Sequence, residues 1–532
     1  MIGVVLAGLV CLGLSAFSAF RLPSFFGADE RPHLSYTVSL LEGRLPELTD
    51  RQPFTDRYPI IERSSTPPGA TVARRAHIFV AAHPPLAYVL AAPAVWLSGT
   101  GSSDDLPVVA FRLVNALAMA AGAAVAGLFA AELFPGRRGI AVSAALLTAL
   151  VPNLVAVGGY AHNDGTAFLM TTACLLASAR LLRHGLSRSR VAAASLLAGA
   201  TMLTRASAAV AVTALVASAG VAAWRRGGGT WRAVARGVGV GFVIAATTAA
   251  SAGWFYLRNR RLYGTATADS YLLEGLERRP RGSLFDALTE ARFHRRMWSQ
   301  LYGSVHPRLA VSRPAWVIAA LAVVVAVGLA LALARRLAQR ERGPSSEAVD
   351  RHIGLAGWLI VVGFCAGVVA TTAQFYADGG GPHPRYLLSV VPVVSALLAR
   401  ALAELPWARV ALVVVAGALA AVIVSQFSRY PDLLDAAARP FTGSAAGTFA
   451  QVGAAAVAIG AGTAVLAWLS VDWWLARGPH PATASAAPGA ASESVGAAGR
   501  RLVVGRRHGA QTGIDLASTE REHDAAPPGP PA

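Results

Sequence analysis

Residues 83–99, HPPLAYVLAAPAVWLSG, decide how this chain is threaded. The segment is apolar, but it opens on two prolines and is short for a bilayer crossing, which takes about 20 residues. Every later loop changes sides with its assignment. If it does not cross, the loops holding Arg137 and Arg138, Arg180 to Arg190, Arg225 to Arg236 and Arg335 to Arg342 share one side with the C-terminal tail. Arginine clustered in short loops marks the cytoplasmic surface. If it does cross, those same loops fall outside, against that bias. We therefore read 83–99 as a helix lying along the membrane surface.

The rest of the chain supports a membrane setting. Of 532 residues, 54% are hydrophobic and 14% charged, whereas soluble domains carry about 25% charged residues. Apolar runs long enough to span are expected at 2–20, 107–133, 139–158, 164–183, 190–204, 207–223 and 233–256. The second half adds 315–336, 353–373, 386–404, 408–426 and 451–471. The expected fold is an all-α polytopic membrane protein of about twelve transmembrane helices, with juxtamembrane helices in the first outer loop. The first twenty residues lack the basic start and cleavage site of a secretory signal and read as an uncleaved helix.

The formal charge of +18 is arginine in short loops, which suits a membrane surface better than nucleic acid. Cys11, Cys174 and Cys365 each lie in an apolar run, so no disulfide framework or paired-cysteine metal site is indicated. The Ala-, Pro-, Gly- and Ser-rich stretch 477–532 cannot bury a core and is expected as a disordered cytoplasmic tail after a membrane domain of 1–476. No fixed-period repeat is visible, nor matching broken helices in two halves as in inverted-repeat transporters.

This threading gathers 21–106, 159–163, 257–314 and 374–385 on the outer face, where a site is expected. GADERPHLSY places Asp29, Glu30 and His33 just beyond the first helix. A carboxylate at a low-dielectric boundary can act as general base if a cation or donor keeps it ionised; a solvated helix cap is the plainer alternative. GGYAHNDGTAF holds His162, Asn163 and Asp164 between two apolar helices, and Asp164 could equally cap the second of them. Arg205 interrupts a long apolar stretch. At that depth it suggests a phosphate ligand or an internal partner, or an arginine snorkelling to the interface.

WFYLRNRRLYGTAT opens the next outer loop with Arg258, Asn259, Arg260, Arg261, Tyr263 and Gly264, followed by Arg278, Arg279, Arg281, Arg292, Arg295 and Arg296. Basic residues outside call for an anionic partner, such as a lipid headgroup or phosphate leaving group. A solvated loop balanced by Glu274, Glu277, Asp286 and Glu290 is the alternative for the later arginines. The last group, QFYADGGGPHPRYLL, carries His383, Arg385 and Tyr386 into a helix.

In order and spacing, DE with PHLSY, HPPLAY, HND, LTR, YLRNRRLYG and PRYLL resemble the GT-C class of membrane glycosyltransferases over residues 1–430. Within that class the chain is most similar to the protein O-mannosyltransferase-like and lipid A aminoarabinose transferase-like enzymes. The resemblance implies Asp29 as the catalytic carboxylate, Asp164 as support for the same cavity, and a juxtamembrane helix from His83. Where the aminoarabinose transferases carry an acidic residue and a lysine before the two prolines, Ala82 and His83 stand here, so that subfamily's metal site is not carried over. Arg205 keeps the charge of their LTK-like motif.

The expected activity is transfer of a sugar from a polyprenyl-phosphate donor to an acceptor hydroxyl on a glycan, lipid or protein, with inversion as the class implies. The catalytic set is Asp29, Glu30 and Asp164, with Arg205, Arg258 and Arg385 on the donor phosphate. His33, His83, His162, Asn163, Asn259, Tyr263 and His383 would line the cavity. A divalent cation between Asp29, Glu30 and Asp164 is chemically open. A flippase for a lipid-linked saccharide or a noncatalytic scaffold would use some of the same residues. The cell membrane is the expected location.

Overall fold

The computed structural model describes residues 1–53, 55, 57–58, 61, 77–99, 105–275, 277–303, 322–328, 330–331, 353–429 and 444–476. Residues 477–532, expected as a disordered tail, and most of the span expected at 315–336 lie outside them.

The described chain is an all-α polytopic membrane protein. Among its helices, nine are long and apolar enough to cross a bilayer. They are α1 (Ile2–Arg21), then, after α2 (Glu30–Leu41) and α3 (Leu86–Ser98), α4 (Leu106–Leu133). Beyond the pair α5 (Arg138–Ala149) and α6 (Pro152–Gly158) comes α7 (Asp164–His184). After α8 (Arg188–Met202) follow α9 (Ala209–Arg226), which a 3₁₀ turn extends back to Ala206, and α10 (Trp231–Tyr263). Three short helices, α11 (Asp269–Gly275), α12 (Leu284–Thr289) and α13 (Ala291–Gly303), cross nothing. The remaining spans are α14 (Gly354–Ala377), α15 (Val391–Leu402) with its 3₁₀ entry Pro384–Val390, α16 (Ala408–Phe427) and α17 (Ala445–Ala476).

The twelve expected crossings need revision at two described places. The run 139–158 is two helices bent by 63°, counting as one broken span at most. Pro152 is the cause: it forces Val151 out of the helical region, to φ −69° and ψ 116°. The run at 190–204 is a helix of only 15 residues, short of a full span.

Residues 83–99 hold a helix too short for a full span. α3 has 13 residues, about 20 Å at 1.5 Å per residue, and is tied down at both ends. Leu86 N donates to Leu203 O, while Arg57 donates to Trp96 O. Its outer face exposes Val89, Leu90, Trp96 and Leu97, an apolar stripe that suits the headgroup–acyl boundary.

Small residues let the spans approach closely. α1 lies between α17 and α4, and a Cβ added at Gly13 would fall 2.6 Å from Ala458 N on α17. At one end of the bundle, Arg137 pairs with Glu404, and Glu132 takes Arg183 and His184. The opposite end carries α2, α3, the 159–163 turn, the 203–208 break and the 378–385 entry. This is the end where the candidate site forms.

Candidate functional site

The site is framed by a buried ion pair that the sequence reading assigned otherwise. Glu30 is the first residue of α2 and Arg112 sits two turns into α4; both side chains are fully buried. Arg112 Nε and Nη2 donate to Glu30 Oε1 and Oε2 at 2.7 and 2.8 Å. Its remaining N–H groups close the end of α1, on Ala19 O (3.0 Å), Leu22 O (2.7 Å) and Pro23 O (2.7 Å). All five guanidinium donors are used.

Glu30 also accepts from Gly27 N at 2.9 Å and Ala161 N at 2.8 Å, so each oxygen takes two donors. With no lone pair left over, Glu30 is a structural anchor and leaves the catalytic set expected for it. Arg112 escaped the sequence reading although it carries the signal that singled out Arg205, one arginine in an apolar run.

Asn115, one turn on from Arg112, shapes the neighbouring polar turn. Its amide donates to Val157 O (2.7 Å) and Tyr160 O (2.9 Å), and its carbonyl accepts from Gly165 N (2.8 Å). The bend after α6 is therefore held from behind. His162, Asn163 and Asp164 are presented on its front.

Asp29 precedes Glu30 but points elsewhere. Its backbone is left-handed, φ 64° and ψ 10°, and its side chain makes no cap hydrogen bond to α2, which removes the helix-cap alternative. Asparagine and aspartate tolerate this region better than most side chains. The carboxylate instead accepts from Arg385 Nη2 at 2.7 Å and stays partly exposed. Burial alone would raise its pKa, but Arg385, helped by His162 and His383, holds it below the usual carboxylate range. Asp29 is ionised at neutral pH.

Arg385 comes from the 3₁₀ entry to α15, and its Nη1 meets His162 Nε2 at 3.0 Å. His162 Nδ1 faces Asp164 Oδ2 at 3.0 Å. The other oxygen of Asp164 takes Arg205 Nη1; Asn163, not Asp164, holds the cap position of α7, and its side chain makes no cap bond. Both arginines stand over the Tyr386 ring, with Cζ 5.0 Å (Arg205) and 5.6 Å (Arg385) from its centroid. A line of close polar contacts thus runs Asp29, Arg385, His162, Asp164, Arg205, drawn from four segments distant in sequence.

Behind it lies a buried aromatic stack. The His33 ring centroid is 3.8 Å from that of His162 and 6.2 Å from that of His83, and Tyr88 Oη meets His33 Nδ1 at 2.9 Å. Burial first, then the surrounding positive groups, lower the pKa of His33, of His162, of His83 to about 3 and of His383 to about 4. All four are neutral near pH 7.

The fourth expected group is reassigned. α10 does not stop at 256; nothing breaks it before Gly264, whose φ of 80° caps it. Arg258 donates to Pro46 O at 2.8 Å, and Tyr263 Oη accepts from Leu48 N at 3.0 Å. Asn259 donates to Ala82 O at 3.1 Å. These side chains fasten the segment after α2 and the entry to α3. Arg258 is therefore engaged with the loop after α2 rather than with Tyr386, where Arg205 and Arg385 meet.

Between that pair opens a small cleft of about 30 Å³, lined by Asp164, Thr171, Arg205, Ser207, Arg385 and Tyr386, with Phe168 and Leu388 as apolar wall. Asp29 and Asp164 each face a guanidinium, Glu30 is saturated, and among the described residues no group of three or more His, Cys, Asp or Glu is arranged to hold a metal.

No family model and no curated protein matches this chain. It is similar in structure to ArnT from Cupriavidus metallidurans bound to undecaprenyl phosphate, with 16% identity over 87% of this chain and 77% of that one, at a TM-score of 0.45. ArnT from the same organism in the apo state aligns with 17% identity, 86% and 75% coverage and a TM-score of 0.41. The Archaeoglobus fulgidus oligosaccharyltransferase in the apo form aligns with 15% identity and a TM-score of 0.38; 87% of this chain covers 56% of that one.

Proposed function

We propose that this chain is a membrane glycosyltransferase that moves a sugar from a polyprenyl-phosphate donor to an acceptor hydroxyl. The observation that carries the reading is the placement of Asp29. It is an ionised, partly exposed carboxylate at the polar end of the bundle, joined through Arg385 to a cleft rimmed by two arginines. The motif resemblance to the GT-C class supports the same assignment.

In the reaction, an acceptor hydroxyl attacks the anomeric carbon while its proton passes to a carboxylate oxygen of Asp29. The new C–O bond forms as the anomeric C–O bond to phosphate breaks, and the bonding pair leaves on the phosphate oxygen. Arg205 and Arg385 offset the charge that develops there, the kind of fixed electrostatic stabilisation that dominates many such reactions. The apolar wall of Phe168 and Leu388 is the side of the cleft suited to the lipid tail.

The arginines of 137–138, 180–190 and 225–236 occupy the end opposite the site, which supports an outer-facing site by the positive-inside rule. The test is transfer of radiolabelled sugar from a panel of polyprenyl-phosphate sugars into membrane extracts, native protein against Asp29→Asn at matched expression. Transfer by the native protein and its loss in the variant is expected. Equal behaviour of the two would remove Asp29 from the chemistry and bring a carrier of lipid-linked saccharide forward.

A further inference from the structure

Arg385 is held by two hydrogen bonds rather than one. Nη2 donates to Asp29 Oδ2 at 2.7 Å and Nη1 meets His162 Nε2 at 3.0 Å. A guanidinium N–H can only donate. His162 Nε2 must then be the bare nitrogen of the ring, and the ring's single proton sits on Nδ1, facing Asp164 Oδ2 at 3.0 Å but off the hydrogen-bond line. His162 is 3% exposed, and the His33 ring packs against it, in turn fixed by Tyr88. The imidazole cannot swing away, and its acceptor is aimed at one partner.

We infer that His162 is a positioning residue, which orients Arg385 toward Asp29 by accepting a hydrogen bond at Nε2 and works in the Nδ1-protonated neutral form. The inference rests on the roles proposed above for Asp29 and Arg385. Without His162, the long, flexible arginine would keep one fixed hydrogen bond, to a carboxylate that is itself partly exposed. Its remaining holds, the Tyr386 ring and an ion pair of Nε with Asp164 Oδ2 at 3.9 Å, are less directional, so its angle to Asp29 and to the cleft would be less sharply set. The contact to Asp164 is secondary, because its line is poor and Asp164 already has Arg205.

Side-chain length separates this role from general packing. A glutamine at 162 places its amide oxygen near the Nε2 position and can still accept from Arg385, whereas an asparagine reaches only to the Nδ1 position. With the full-length protein in lipid nanodiscs, His162→Gln is expected to retain kcat for sugar transfer within about threefold. His162→Asn and His162→Ala should lose at least about tenfold in kcat, with a smaller change in KM for the donor. If Gln and Asn fall equally, or Asn is the better enzyme, the inference is overturned.

A second measurement stands apart from activity. The ¹⁵N spectrum of imidazole-labelled protein, with His162 assigned by difference from His162→Gln, should show a bare Nε2 and a protonated Nδ1. The opposite tautomer or a doubly protonated ring overturns the inference even if no sugar transfer is ever found. Absence of transfer by the native protein, with the expected tautomer present, counts against the proposed function alone.

Discussion

Arg112 and Glu30, 82 residues apart, meet fork to fork with both side chains fully buried, and together they use every donor and acceptor site they have. Breaking such a pair strands a charge in a low-dielectric interior, at a cost of about 3–5 kcal/mol. Arg112→Met and Glu30→Gln are each expected to lower the melting temperature sharply and to cut the yield of monodisperse protein in detergent. The double variant Glu30→Met with Arg112→Met should recover part of that loss, since it leaves no unpaired ion. A Glu30→Gln protein of native stability would remove the anchoring role.

Arg258 and Arg205 should separate cleanly in kinetics. Arg258→Ala removes the bond to Pro46 O, so proteolysis within 42–50 should quicken while transfer stays within about threefold of native. Arg205→Ala strips Asp164 of its hydrogen-bonded guanidinium and the cleft of a cation. It should cost about tenfold or more in kcat/KM, consistent with roughly 1.5–3 kcal/mol for a charged hydrogen bond. Comparable losses in both variants would return Arg258 to the donor site.

Gly165 has no room for a side chain. A Cβ there would fall 2.4 Å from Asn115 Oδ1 and 2.5 Å from Asn115 O. Gly165→Ala must push α7 from α4 or break the Asn115 clamp on the 157–165 turn, an overpacking cost of about 1–3 kcal/mol. Thermal unfolding followed by tryptophan fluorescence measures it, and an unchanged midpoint would mean the turn yields without cost.

Acid should destabilise the fold before ordinary carboxylates titrate. Burial, then Arg385, lowers His383 to about 4, and burial, then Arg205, lowers His83 to about 3. The unfolded chain takes up protons as pH falls below about 6.5, the ordinary histidine value, while the folded chain does not. Their contribution to stability is therefore complete above about 6.5. It drains away as pH falls from there toward about 4 for His383 and about 3 for His83. Melting temperatures from pH 7.5 down to 5 should drop, and His383→Gln should flatten the slope.

The spans were legible because a continuous apolar run survives any error about side-chain direction. The 83–99 segment was legible as too short for a span from its two leading prolines and its length. Asp29, His162, Asp164, Arg205 and Arg385 were legible as polar residues at span ends, and the structure brings all five together. What was not legible was which of two adjacent carboxylates faces which way. Asp29 and Glu30 differ in backbone conformation, left-handed against helical, and in Glu30's partner on α4, neither of which has a local signature. Arg258, Asn259 and Tyr263 were misplaced for another reason: hydropathy ends where charge begins, whereas the helix ends at Gly264. The break at Pro152 was hidden inside a run whose composition is uniformly apolar.

One peptide bond separates the residue that anchors α1, α2 and α4 from the residue proposed to take the proton. Asp29's bearing toward Arg385 is inherited from Glu30's attachment to Arg112, so loosening the anchor misaims the base before the bundle melts. In practice, catalytic turnover becomes a reporter of folding quality. Preparations in harsh detergent should go silent while still eluting as intact particles, and specific activity, rather than elution profile, is the measure by which to choose a solubilising condition.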